Sequence, residues 1–450
     1  MNKVIKLKKG LDIRMQGEAE KALVPVPEPG LFAVKPVDFQ GLTPKLSVRP
    51  GDEVKAGSPL FFDKYRPDIL FTSPVSGRVK NILRGERRKI LEVIIEPDGK
   101  QEYMEFKKGD PLQMNKEDII ATLLKSGVWP FIRQRPFDFV ADPSETPKSV
   151  FISLFDTAPL APDYSFILKG KEKIFQTGIN VLSQLTTGKV HLGIHPQKTD
   201  SSFTGALQNV EVHAFSGPHP AGNVGVHIHH IDPVYKGDRV WVVNPQDVLT
   251  IGRLFDEGRF DASRVVALAG SEVKKTGYYE TMMGASVENM VKGNVQDGSL
   301  RYISGNVLTG KKIDPDGYIG FYDSLVTVIP EGNYYELFGW LLPGFGKFSF
   351  SRTFFSWMRP RKKYRLDTNL HGGHRPFIVT GFYEKVMPMD ILVMQLLKAI
   401  LTEDIDLMEN LGLYEVVEED IALCEYIDPS KTEMQGILRN GINSLIKELG

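Results

Sequence analysis

A single cysteine, Cys424, in 450 residues excludes an internal disulfide framework and fits a reducing compartment. It also cannot supply the roughly four thiolates that hold an iron–sulfur cluster. No apolar run is long enough to cross a bilayer. The basic N-terminus is followed by no continuous apolar core, so it does not read as a secretory signal. Charge of one sign is missing too: 55 Lys and Arg nearly cancel 56 Asp and Glu, leaving no global field to draw nucleic acid. No G-x-G-x-x-G follows a predicted strand, which removes the usual dinucleotide fingerprint. Gly305 to Lys311 has the glycine spacing of a phosphate loop. Lys312, however, replaces the hydroxyl residue that ligands magnesium, and Ile313 to Gly317 is a turn where a helix is required. Nucleophile elbows and zincin helices are likewise missing.

What remains is an ordinary soluble composition, 42% hydrophobic and 25% charged, in a chain long enough for three or four domains. The first hundred residues are short strands and glycine turns. Gly51 to Gly57 and Thr72 to Val79 repeat one half-motif, with Gly77 at a turn needing positive φ, and Lys89 to Glu96 is a β-branched strand. That pattern predicts a barrel-sandwich hybrid of the kind that carries biotin or lipoate. Lys64, between Asp63 and Tyr65, stands where such a carrier presents its modified lysine. Its distance from Ser73-Pro74 and the intervening Pro67 favour an unmodified surface lysine.

From Asn115 the periodicity alternates. Helices are predicted at Glu117 to Lys125, Lys171 to Leu185 and Asp247 to Glu257, and strands at Ser149 to Leu154, Lys189 to Ile194 and Asn209 to Ala214. This is α/β organisation with a mainly parallel sheet. Arg264 to Ala269 and Leu300 to Ser304 open a small mixed domain. The final 75 residues read as helical, with a helix after Pro388 and another behind a capping box at Ser430 to Glu433. The expected divisions are 1–110, 111–258, 259–330, a connecting segment at 331–375, and 376–450.

Of nine histidines, five (His213, His219, His227, His229 and His230) fall within one short stretch. Val226, Ile228 and Ile231 suggest an extended element, with His227 and His229 on one face and His230 opposite. His227 and His229, with His219 or His213, could assemble a metal site. Polar strand histidines bonded to loop carbonyls would give the same sequence, and the structural reading is preferred to the metal one.

Several longer motifs carry a resemblance. Ile5 to Ile13, Gly217-Pro-His-Pro-Ala-Gly222 with His227-Ile-His229, Arg264 to Gly270, Ile303 to Gly310, Lys347 to Arg352 and Glu384 to Asp390 resemble the NqrA family of Na+-translocating NADH:quinone oxidoreductases. The resemblance runs from the first residues to the last helix. It implies a barrel-sandwich hybrid, a Rossmann-like α/β domain, a small ubiquitin-like SLBB domain and a C-terminal helical domain. More distant kinship is implied to RnfC and to the NADH-oxidising flavoprotein subunit of complex I. Where those relatives carry a glycine-rich flavin loop, this chain has Gly127 to Arg133 with bulky Trp129 and Phe131. Their cysteine cluster is reduced to Cys424, with Asp428 where a second thiolate is expected.

The resemblance therefore implies a peripheral subunit on the cytoplasmic face of the bacterial inner membrane. It implies a quinone (ubiquinone or menaquinone) bound as substrate and no flavin or cluster in this chain. The partners implied are the other subunits of the reductase (B to F), chiefly a membrane-embedded one. The alternatives are a flavin-binding NADH-oxidising subunit of the RnfC or complex I type, and a biotin or lipoate carrier. A quinone ring needs apolar walls and one or two donors. Trp129, Phe131 and Arg133 offer both, and Phe32 and Lys35, within Leu31 to Phe39, could close the pocket. Arg133 is the expected donor to a quinone oxygen. Between Tyr334 and Tyr364, aromatics including Tyr335, Phe338, Trp340, Phe345, Phe355 and Trp357 are interleaved with Arg352, Arg359, Arg361, Lys362 and Lys363. That pattern suits a partner or membrane-facing rim, or an aromatic mini-core with a solvated basic tail.

Overall fold

A computed structural model describes residues 4–25, 28–339 and 341–449. Trp340, counted above in the aromatic segment, lies outside the described residues, as do residues 1–3 of the basic N-terminus.

The glycine-turn region folds into two small sheets. Phe32–Val34, Ile90–Pro97, Gly77–Arg84 and Glu53–Val54 form one; Pro44–Leu46, Pro59–Asp63 and Leu70–Thr72 form the other. Phe61 stacks on Phe71 at 4.8 Å between them, beside the fully buried Leu60, Val79, Val93 and Ile95. Gly77 has φ +154°, and a Cβ there would stand 2.1 Å from the Glu96 carbonyl oxygen, so the turn accepts only glycine. At the other tip Asp63 is buried and accepts from Arg66 Nε at 3.1 Å, while Lys64 points outward.

The α/β region is built on a seven-stranded sheet. We number its strands β1 (Ile5–Lys6), β2 (Arg133–Arg135), β3 (Phe139–Val140), β4 (Ser149–Ser153), β5 (Lys189–Ile194), β6 (Glu211–Ser216) and β7 (Val240–Val242). Their order is β1-β6-β5-β4-β7-β2-β3, parallel from β1 to β7 and antiparallel at β2 and β3. Helices α1 (Lys116–Ser126), α2 (Glu172–Leu185), α3 (Val224–Ile231) and α4 (Pro245–Glu257) accompany it. Asn115 caps α1 by accepting from the Asp118 amide at 2.7 Å, and Gly127 ends it in the left-handed region.

The histidine-rich segment corrects the expectation of a strand: it is α3. Val224, Ile228 and Ile231 recur at helical spacing and pack on Phe151, Val240 and Val242, while His227, beside them, is buried against Phe215. The expected two-faced arrangement of His227, His229 and His230 fails with the strand.

Next comes a five-stranded mixed sheet, ordered Gly277–Met282, Ser263–Ala269, Leu325–Pro330, Leu300–Ser304 and Lys311–Ile313. Helices α5 (Val393–Leu401), α6 (Glu418–Ile427) and α7 (Met434–Leu449) then follow, with the short helix Ile405–Asn410 between α5 and α6. Helix α5 begins at Val393, so Ile391 and Leu392 precede it. The capping box expected at Ser430 is not formed. Ser430 Oγ donates to the Pro376 carbonyl at 3.0 Å, and Glu425, from α6, accepts from the Gln435 amide at 2.8 Å. A carboxylate from the neighbouring helix does the work the local motif promised.

Residues 5–23 run as a strap across these units. β1 pairs with β6, Met15 bridges to Tyr364, and Leu23 bridges to Tyr278.

Candidate functional site

In a parallel sheet the chain leaves a central strand in opposite directions, and the gap beyond the carboxyl ends collects ligands. Here that point lies between β4 and β7, since β5 flanks β4 on one side and β7 on the other. A cavity of about 110 Å³ opens there, lined by Ser153, Phe155, Val242, Asn244, Thr309 and Arg133 among others. A second cavity of about 320 Å³ adjoins it and shares Arg133, Thr309 and Glu419 with the first. Its further walls come from Phe39 of the N-terminal region, Phe321 and Tyr322 of the mixed sheet, and Arg439 of α7. Every domain of the fold therefore contributes to one cleft.

Arg133 stands at the junction. Antiparallel pairing of β2 with β7 sets Arg133 beside Val242. Its Nη1 donates to Asp138 at 2.9 Å and its Nη2 to Asn244 at 3.2 Å, and the guanidinium lies 4.9 Å from the Tyr322 ring centre. Nε is buried and has no hydrogen-bond partner. Burial alone would raise the Asp138 carboxyl, but the Arg133, Arg135 and Arg439 guanidinium groups hold it below its ordinary value. The site thus presents a fixed cation, pinned through its Nη groups by Asp138 and Asn244. Burial lifts the carboxyl of Asp323, on the same wall, above its ordinary value, against a 2.6 Å bond from Ser304 Oγ.

The other sequence candidates fall around this cleft unevenly. Trp129 and Phe131 are almost wholly buried in a 3-10 turn. Trp129 Nε1 donates to the Ala141 carbonyl at 2.7 Å and its ring meets Trp241 edge-on; Phe131 stacks on Phe321 at 4.6 Å. Phe131 thus supports the Phe321 wall of the cleft, while Trp129 packs into the core of the α/β sheet. Lys35 is buried with Nζ on the Tyr318 carbonyl at 2.8 Å, next to Asp38, a wall residue. Phe32 lines a separate groove of about 510 Å³ with Val75, Leu249, Arg264 and Met282. Phe39 does reach the cleft, packing on Phe321 at 4.7 Å and Tyr322 at 5.9 Å. Phe321, Tyr322 and Glu419 were not singled out in the sequence, because only long-range packing brings them to Arg133.

His219, His227 and His229 turn to separate partners: Thr157 Oγ1 at 3.1 Å, the Ala221 carbonyl at 2.9 Å and Glu415 at 2.8 Å. Burial lowers His219 and His227 to about 4, so both are neutral at physiological pH. Cys424 is buried, which raises its thiol. Asp428 accepts from Tyr383 Oη at 2.7 Å and from the Ser430 amide.

Family models cover most of this architecture. Residues 5–98 match the NqrA N-terminal barrel-sandwich hybrid domain, 114–260 the NqrA second alpha/beta domain, and 265–314 the SLBB-type model described as the NQRA C-terminal domain. The chain is 39% identical over 448 residues to the NqrA protein of the Na(+)-translocating NADH-quinone reductase of Yersinia pestis bv. Antiqua, covering 99% of this chain and 100% of that one. The chain belongs to the NqrA family. The NqrA protein of Neisseria meningitidis serogroup B is 39% identical over 449 residues, with 99% and 100% covered. That of Rhodopirellula baltica is 38% identical over 452, with 99% and 98% covered. The family resemblance and the multidomain α/β fold class expected from the sequence hold, and the chain is the NqrA component of a reductase of this type. Among solved structures, an NAD+-reducing [NiFe]-hydrogenase in the air-oxidized state aligns with 75% of this chain. The alignment spans 59% of that chain, at 12% identity and a TM-score of 0.34, too low to argue from.

Proposed function

We propose that this chain is the peripheral quinone-binding subunit of a sodium-exporting NADH:quinone reductase, and that the cleft at Arg133 takes the quinone headgroup. The observation that carries this reading is the Arg133 guanidinium, a fixed cation held over Tyr322 where two cavities meet. A quinone carbonyl accepts there, and Phe39, Phe321 and Tyr322 supply flat walls. The combined space falls in the range of small-molecule sites, about 300–1,000 Å³. Phe131 acts from behind by fixing the Phe321 wall, and Lys35 acts through Asp38. Asp323, its carboxyl lifted by burial, lines the same wall of the cleft.

On this reading the chain holds no flavin or iron–sulfur cluster, and partner subunits carry the redox chain and the sodium path. Two features support it. The turn after α1 is filled by Trp129, Pro130 and Phe131, which leaves no backbone open to a phosphate, and the lone Cys424 is buried. Docking to the cytoplasmic side of the membrane subunits falls to the segment 331–375. No helix of the described residues is long and apolar enough to cross a membrane. That segment, however, exposes Leu337, Leu341, Phe355 and Trp357 beside Arg359, Arg361 and Lys362.

Photoaffinity labelling of the assembled complex with a quinone analogue tests the site. Labels on residues 38–40, 133–138 or 320–323, reduced by R133M, are expected. Labels confined to the Phe32 groove or to partner subunits would remove the site from this cleft.

A further inference from the structure

Parallel pairing of β5 with β6 sets His191 opposite Glu211 and Gly193 opposite His213. Because alternate strand residues share a face, His191, Glu211 and His213 all project from one side of the sheet. His191 Nδ1 lies 3.0 Å from His213 Nε2 and 3.8 Å from a Glu211 carboxylate oxygen. Among the described residues these three form the one grouping of ligand atoms lying within 4.8 Å of one another. Ligand atoms bonded tetrahedrally at 2.0–2.1 Å stand roughly 3.4 Å apart, so the spacing needs only small adjustment to admit an ion.

We propose that His191 Nδ1, His213 Nε2 and one Glu211 oxygen form a site for a zinc-type divalent cation that ties β5 to β6, with a water completing the fourth position. Of the histidines the sequence suggested for a metal, this set keeps only His213, and it replaces the others with His191 and Glu211.

The surroundings suit a ligand set. Phe151 stacks on His191 at 4.7 Å and fixes the ring plane. Lys189 Nζ holds the other Glu211 oxygen at 2.9 Å, which orients the carboxylate as an outer-shell partner does. Burial lowers His191 and His213, so both imidazoles offer lone pairs at neutral pH. Facing each other nitrogen to nitrogen, one ring donates its N–H to the other, and binding of the cation moves that proton to the donor's second ring nitrogen, so both ligands stay neutral. The Glu211 side chain is 45% exposed and gives the ion a way in. The cation site lies toward the amino ends of the strands, whereas the Arg133 cleft lies beyond their carboxyl ends. The ion therefore pins the sheet and takes no part in quinone chemistry.

The test is titration of the chelator-treated full chain with zinc chloride, followed by calorimetry, and with cobalt chloride, followed by its visible ligand-field bands. We expect one ion per chain and the intense bands of a four-coordinate cobalt. H213N should weaken zinc binding by more than the roughly 10–100-fold seen on losing an outer-shell partner. H230N, whose parent side chain bonds the Val226 carbonyl, should bind like wild type. Should H213N prove unstable, E211Q decides, since its side chain is half exposed; it should lose at least about ten-fold. Absence of stoichiometric binding to the wild type, or affinity unchanged in H213N or E211Q, overturns the proposal.

Discussion

Replacing Arg135 by methionine should loosen the attachment of the helical domain, and the structure sets the size of the effect. Arg135 Nη1 lies 3.2 Å from Asp420, Nη2 2.6 Å from Glu419, and Nε 3.7 Å from Asp138. The arginine side chain is 3% exposed and that of Asp420 0%. At an effective dielectric near 20, each close pair contributes about 4–5 kcal/mol before desolvation. Burying the guanidinium takes back several kcal/mol, so the intact network adds little net stability. Removing the cation alone is different: burial already pushes the Asp420 carboxyl up to about 7, and without Arg135 it must stay uncompensated or take up a proton. R135M should therefore cost about 3–5 kcal/mol. In R135M/D420N the orphaned charge disappears while the asparagine oxygen can still accept from the Val417 amide, as Asp420 does at 3.0 Å. The double variant should thus lose about 1–2 kcal/mol less than the two singles summed. Urea unfolding followed by the fluorescence of Trp129 and Trp241, with limited proteolysis after residue 331, reads both effects. A loss under about 1 kcal/mol for R135M, or additivity within about 0.5 kcal/mol, would refute the argument.

Acid should destabilise the fold through its buried histidines. His219 and His227 fall from 6.5 to about 4 on folding, so their stabilisation is full above pH 6.5 and is lost as pH falls through 4. Each is worth roughly 3 kcal/mol at the limit; unfolding curves from pH 7 to pH 4 should show this slope, and H219N should flatten it. Gly193→Ala would put a Cβ 2.2 Å from His227 Nδ1, on a ring stacked at 4.1 Å against Phe215, and should cost about 1–3 kcal/mol in thermal unfolding. Reversing Arg359, Arg361 and Lys362 to glutamate should leave the chain folded but reduce its retention with membrane subunits; unchanged co-purification would dismiss the docking role of that segment.

Much of the fold is legible because local signals and burial agree. In α1 the Asn115 cap, the apolar stripe through Ile119 and Leu123, and Gly127 all point to one helix. β5 begins and ends where its β-rich run does. The histidine segment misleads because eight residues are too few to separate a period of 2 from one of 3.6, and Val224, Ile228 and Ile231 satisfy the latter. Ser430 misleads differently: the local motif is sound, but Glu425 reaches the helix end first. Arg133 is legible as a charge among aromatics. Its partners Tyr322, Asn244 and Glu419 are not, since no periodicity links positions so far apart in sequence. The pair His191 and His213 escapes notice for the same reason, its strands being joined only by register.

The strap formed by residues 5–23 bears on how the protein is made. β1 leaves the ribosome well ahead of its partner β6, which is synthesised roughly two hundred residues later. At about 5–20 residues per second, that strand waits on the order of 10–40 s for its neighbour. Tyr278 and Tyr364, which receive Leu23 and Met15, emerge later still. The nascent barrel-sandwich unit can close without the strap, but the α/β sheet keeps an open edge at β6 until β1 returns to cover it. A bulky fusion placed just ahead of β1 should therefore slow the last step of maturation more than it disturbs any single domain.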